Sequence, residues 1–69
     1  KKVINKLSES TEKDESLLGH LLVVAKKITE ENNIRDYRLV INNGVEAGQT
    51  VFHLHIHILA GRVFGWPPG

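Results

Sequence analysis

Apolar residues recur at two different periods along this chain, and the change of period marks its elements. Leu17, Leu18, Leu21, Ala25 and Ile28 fall at spacings of three and four, so they share one face of a helix. Leu22 and Val24 widen that stripe, as expected of a helix that packs across a sheet. The helix is predicted to begin just after Thr11, whose hydroxyl can cap free N–H groups, with Asp14 completing a capping box three residues on. Acidic residues at 12, 14 and 15 suit the positive end of the helix dipole. The pattern runs to about Glu31, with Lys26 and Lys27 toward the negative end and Asn32-Asn33 as the stop. Before it, Val3, Ile4 and Leu7 are spaced to seat one short helical turn on a core.

Beyond the helix the chain turns to β-formers. Residues 37–41 (Tyr-Arg-Leu-Val-Ile) read as one strand, and Val51 to about Leu59 as a second. Residues 42–49 between them hold two glycines and two asparagines and read as a loop. The simplest arrangement is an antiparallel hairpin with a long connection, followed by an irregular tail over residues 64–69. The fold class is therefore α+β: an antiparallel sheet with one long helix. A lone hairpin is marginal in water, since three or more strands or extra packing are normally required. The chain is thus expected to lack part of its domain or to complete its sheet through a partner.

Composition adds limits. Sixty-nine residues make at most one small domain. Hydrophobic residues are 41% and charged residues 25%, which fits a globular chain and neither a disordered nor a fibrous one. Net charge is +1, so there is no basic stripe of the kind that binds long nucleic acid, and Lys1, Lys2 and Lys6 read as solvated surface. There are no cysteines for disulfides or thiolate metal sites. No apolar run approaches the roughly 20 residues that cross a bilayer.

The segment that carries chemistry is His53-Leu54-His55-Ile56-His57-Ile58. On a strand, alternate side chains share a face about 6.6 Å apart, so the imidazoles line one side. Phe52, Leu54, Ile56 and Ile58 then form a core stripe on the other. Three like imidazoles on one face add little packing that threonine or valine would not, which points to function. His20, in mid-helix after Gly19, reads instead as a satisfied, partly buried structural residue.

Two chemistries suit the row. Neutral imidazoles ligate zinc, but the end positions lie about 13 Å apart, and bonds of about 2 Å let two of them, not three, meet one ion. Alternatively, a neutral imidazole attacks phosphorus, its ordinary pKa of about 6.5 leaving it unprotonated at neutral pH. Gly48-Gln49-Thr50, directly before the strand, would let backbone approach a ligand closely and supplies a hydroxyl.

At this point the residues resemble a known family. The alternation His53-Leu-His55-Ile-His57-Ile-Leu59 is similar to the signature of the histidine triad (HIT) family. Asp14-Glu15-Ser16-Leu17-Leu18-Gly19-His20-Leu21, Asn42-Asn43-Gly44, Gly48-Gln49-Thr50-Val51-Phe52, Gly61-Arg62 and the closing Trp66-Pro67-Pro68-Gly69 resemble its Hint branch. The likeness covers nearly the whole chain from Asp14 onward. It implies that residues 1–69 are the C-terminal portion of a single HIT domain whose N-terminal half is absent.

The resemblance also implies a function: hydrolysis of nucleoside 5′-phosphoramidates, of purine and adenosine type, through a covalent nucleotidyl-histidine. His55 would be the nucleophile, oriented by the backbone carbonyl of His53, with His57 on the phosphate oxygens. Thr50 stands where serine is usual, near the leaving amine. Asn42, Gly48, Gln49, Thr50 and Val51 would line the phosphate region, and Trp66 would reach toward a partner subunit. Related uridylyltransferases carry glutamine at the third histidine, so His57 favours hydrolysis. No cofactor and no metal are implied. The expected partners are a purine nucleotide such as AMP and a second copy of the chain, with no nucleic acid and no membrane. The expected setting is intracellular, most simply cytoplasmic, with an organelle left open.

The family's apolar base pocket and its acidic ribose contact precede the position of Lys1, and Val3 stands where a histidine is common. A non-catalytic interaction module on the same framework, and a histidine-ligated metal hydrolase, are the competing readings.

Overall fold

The structure is a computed structural model that describes residues 4–69. The expectations placed on Lys1, Lys2 and Val3 lie outside the described residues. In chain order there follow 3-10 turns at Leu7–Glu9 and Glu12–Asp14, helix α1 (Glu15–Glu31), strand β1 (Arg38–Val40), a 3-10 turn at Val45–Ala47 and strand β2 (His57–Leu59).

Thr11 and Asp14 form the expected capping box, with the Thr11 N–H donating to Asp14 Oδ2 at 2.8 Å. It caps the 3-10 turn that leads into α1 and not the α-helix itself, which starts one turn later than the sequence pattern suggested. The other end closes as the asparagines imply. Asn33 takes the left-handed conformation with φ 56°. The Asn33 N–H then reaches the Glu30 carbonyl at 3.2 Å, and the Ile34 N–H the Thr29 carbonyl at 2.9 Å. This pair of bonds is a Schellman closure, and it satisfies carbonyls that the helix end would leave bare.

Strands β1 and β2 form the expected antiparallel pair, with Arg38 opposite Leu59, Leu39 opposite Ile58 and Val40 opposite His57. Opposed residues share a face. Leu39 and Ile58 therefore lie on one side, and Arg38, Val40, His57 and Leu59 on the other. Across from α1, the side chains of Leu21, Val24, Ala25 and Ile28 line an open groove with Leu54, Ile56 and Ile58. The helix thus crosses the apolar side of the hairpin and leaves His57 on the opposite face.

Both strands are shorter than the sequence suggests. Pairing ends at His57, and residues 51–56 continue as irregular backbone with bends at Val51 and His53. Phe52, expected in the core stripe, is swung off it by these bends and is 48% exposed. The helical stripe is also narrower: Leu17, Leu22 and Ile28 are exposed, whereas Ala25 and Thr29 are buried. The Thr29 hydroxyl is accommodated by donating to the Lys26 carbonyl at 2.7 Å. His20 is exposed rather than partly buried.

Among the described residues, Ile4 and Ala25 are the only buried apolar side chains. Such a small core is in keeping with a chain that lacks part of its domain or completes its sheet through a partner. Asp14 itself is buried, so replacing it with alanine should lower stability by about 1 kcal/mol, the usual worth of an N-terminal cap. Chemical denaturation of the whole protein would measure this.

Candidate active site

The loop over residues 42–50 is shaped by two positive-φ glycines. Gly44 (φ 96°) and Gly48 (φ 98°) flank the Val45–Ala47 turn, and a side chain at either would be strained. The turn is closed by the Gly48 N–H on the Val45 carbonyl at 2.9 Å and the Gln49 N–H on the Gly44 carbonyl at 3.1 Å. Asn42 lies beside it, since a Cβ on Gly48 would stand 3.8 Å from Asn42 Nδ2. Two of the sequence-selected residues, Asn42 and Gly48, are therefore brought together.

Gln49 has a different place from that expected. It is 2% exposed. Its Oε1 accepts the Gly44 N–H at 2.8 Å, and its Nε2 donates to the Asn5 carbonyl at 2.7 Å and the Val51 carbonyl at 3.2 Å. The side chain is turned inward and engaged with backbone, so it does not present its amide to a phosphate. Thr50 and Val51, next along, are exposed.

The histidines follow. The His55 ring is half-buried, while His53 and His57 are exposed. His55 Nδ1 lies 2.6 Å from the His53 carbonyl oxygen. A carbonyl oxygen only accepts, so Nδ1 must carry the hydrogen and donate it. In the neutral ring this leaves the lone pair on Nε2. The His57 ring sits edge-on to His55, with centroids 4.8 Å apart and planes at 74°. The backbone N–H of Leu54, between the first two histidines, donates to the Ile4 carbonyl at 2.7 Å. Among the described residues, no group of three or more histidine or acidic side chains is placed to hold a metal ion.

Trp66 stands apart. It is 86% exposed and, with Pro68, borders an open cavity of about 380 Å³ whose remaining walls are Arg38, Leu39, Val40 and Ile41. The tail reaches β1 through a contact that no local pattern announces. The guanidinium groups of Arg38 and Arg62 lie 4.8 and 4.5 Å from the centre of the Phe64 ring, and Arg38 also donates to the Gly65 carbonyl at 3.0 Å. The inward role of Gln49 was equally hidden, because its three partners come from separate stretches of chain.

The HIT domain profile matches residues 1–64. The chain belongs to the HIT domain family. A HIT-like protein of Synechocystis, itself uncharacterized, is 60% identical to it over 70 aligned positions, and one of Synechococcus elongatus is 50% identical. Both alignments cover the whole chain and 61% of the relative. The crystal structure of a HIT family hydrolase from Legionella pneumophila superposes with a TM-score of 0.91 at 38% identity, over 99% of this chain and 62% of that one. The HIT chain described here thus spans about three-fifths of the length of these relatives. Its helix and antiparallel strand pair are a portion of the HIT-like fold. No helix among the described residues is long and apolar enough to cross a membrane.

The His53–His55 contact gives a direct test. Long-range 1H–15N spectra of the neutral ring should show His55 as the Nδ1–H tautomer. His53→Ala should preserve that signature, because the acceptor is a backbone oxygen. A hydrogen found on Nε2 in the unaltered protein would contradict the assignment.

Proposed function

We propose that this HIT domain, in its whole protein, hydrolyses nucleoside 5′-phosphoramidates of the purine type by way of a nucleotide carried on His55, as in the Hint branch. The observation that carries the reading is the 2.6 Å contact from His55 Nδ1 to the His53 carbonyl. It turns the other ring nitrogen into the nucleophile and gives the hydrogen-bearing nitrogen a partner as the ring acquires positive charge.

Nε2 of His55 would form a bond to the α-phosphorus while the P–N bond to the amine breaks. The departing amine must gain a proton, from the Thr50 hydroxyl or from one held by the phosphate. Water then cleaves the histidine–phosphorus bond, releasing nucleoside monophosphate and restoring the ring. His57, 4.8 Å away, would donate to the phosphate oxygens in both steps. Asn42, Gly48 and the backbone of Gln49, Thr50 and Val51 would bound the phosphate on the loop side. The description of the Legionella structure as a hydrolase supports this class of reaction. The Hint branch and the amine leaving group rest on the motifs alone.

His55→Asn in the whole protein should keep the fold and abolish both turnover and the adduct. Quenching with an adenosine phosphoramidate and weighing the peptide 51–62 should find one added nucleotide in the unaltered protein and none in the variant. An adduct that survives loss of His55 would refute the proposed nucleophile, and an absence of turnover and adduct in the unaltered protein would favour a non-catalytic HIT module.

We also propose that the whole protein is a homodimer. Tyr37, Ile41, Leu59, Val63 and Trp66 all lie exposed on or near the hairpin, and a domain with this little core gains much from covering them. Sedimentation at micromolar concentration should show two chains per particle, and a stable folded monomer would overturn it.

A further inference from the structure

The ladder between β1 and β2 stops at Val40 opposite His57. His53 and His55 lie beyond its end, yet the His55 ring depends on where the His53 carbonyl points. Something other than the β1–β2 pairing must therefore fix the backbone over residues 51–55. Two contacts among the described residues do so. The Leu54 N–H is tied to the Ile4 carbonyl at 2.7 Å, and Gln49 holds the two stretches that meet there.

The Gln49 amide joins three parts of the chain. Its oxygen takes the Gly44 N–H at the start of the loop turn, and its nitrogen gives one hydrogen to Asn5 and the other to Val51. Both amide hydrogens are used, at a site 2% exposed, where a lost donor would leave a carbonyl without its partner. Asn5 adjoins Ile4, the residue that holds Leu54, and Val51 lies two residues before His53. A second tie, the Ser8 N–H donating to Asn43 Oδ1 at 2.8 Å, binds the same N-terminal stretch to the same loop.

We infer that Gln49 is a positioning residue for His55: it sets the path of residues 51–55 and thereby the direction of the His53 carbonyl that orients the nucleophile. The inference rests on the proposed role of His55, but its spectroscopic consequence does not. Gln49→Glu keeps the shape and turns two donors into a carboxylate oxygen facing the carbonyls of Asn5 and Val51. Gln49→Met keeps the volume and removes all three bonds without adding charge, and it carries the test if the glutamate variant does not fold. Thr29→Ala, at a buried position on α1, is the comparator for a general loss of stability.

The experiment uses the whole protein at a temperature where each variant is folded. The Gln49 variants should lose the Nδ1–H signature of His55 in long-range 1H–15N spectra, and kcat on an adenosine phosphoramidate should fall at least tenfold with KM changed less. Thr29→Ala should keep the signature and kcat. Retention of the His55 signature in Gln49→Met, or an equal loss of it in Thr29→Ala, would overturn the inference. If the unaltered protein turns over no phosphoramidate, the functional reading fails while the spectra still decide the role of Gln49.

Discussion

The seating of Leu54, Ile56 and Ile58 against α1 is the constraint on which the site depends. These three residues and the helix side chains Leu21, Val24, Ala25 and Ile28 share one groove. His55 borders the same groove half-buried, while His53 and His57, which flank these residues in sequence, are exposed. In the paired stretch, a shift of one residue would place His57 against leucine and valine and Ile58 in water. There the hydrophobic preference of one face fixes the chemical content of the other. It also explains why the functional residues sit on a segment whose own strand pairing is short.

That constraint fixes where the segment carrying the histidines lies, not how each ring is turned. Orientation comes from polar contacts of a different kind. The His53 carbonyl selects the tautomer of His55, and His57 meets the same ring edge-on. The capping box at Thr11 and Asp14 closes the turn that leads into α1, and the Schellman closure at Asn33 ends the helix. The helix can therefore serve as a fixed wall although few of its residues are buried.

The elements were legible where local chemistry decides them. Helix α1 is written in the spacing of its leucines and in its two caps, and the antiparallel pair in its β-branched runs with a glycine-rich link. The alternation at His53, His55 and His57 marked the candidate site, and the tail and loop motifs pointed to the family. What could not be read depends on distant residues. Phe52 obeys the alternation in sequence yet leaves the core, where the backbone bends at Val51 and His53 on either side of it. Thr29 lies outside the helical stripe read from the sequence, and the structure shows it buried with its hydroxyl satisfied locally. The Phe64 ring between Arg38 and Arg62 joins residues 26 and 2 positions away, and no local pattern announces the longer of these.

Gln49 shows why a motif can locate a residue and still misstate its work. It stands between a glycine and a threonine just before the histidines, a place that suggests contact with the ligand. A glutamine there can face outward, to a phosphate, or inward, to backbone, and both arrangements would appear as the same letter. Burial decides between them. Inside, an amide group with one acceptor and two donors matches one N–H and two carbonyls that converge from three stretches of chain. Neither a carboxylate nor an alkyl group could satisfy that set, since buried carbonyls left without donors are costly. The same physical requirement that turns the Gln49 side chain inward is what would make the path of residues 51–55 depend on it.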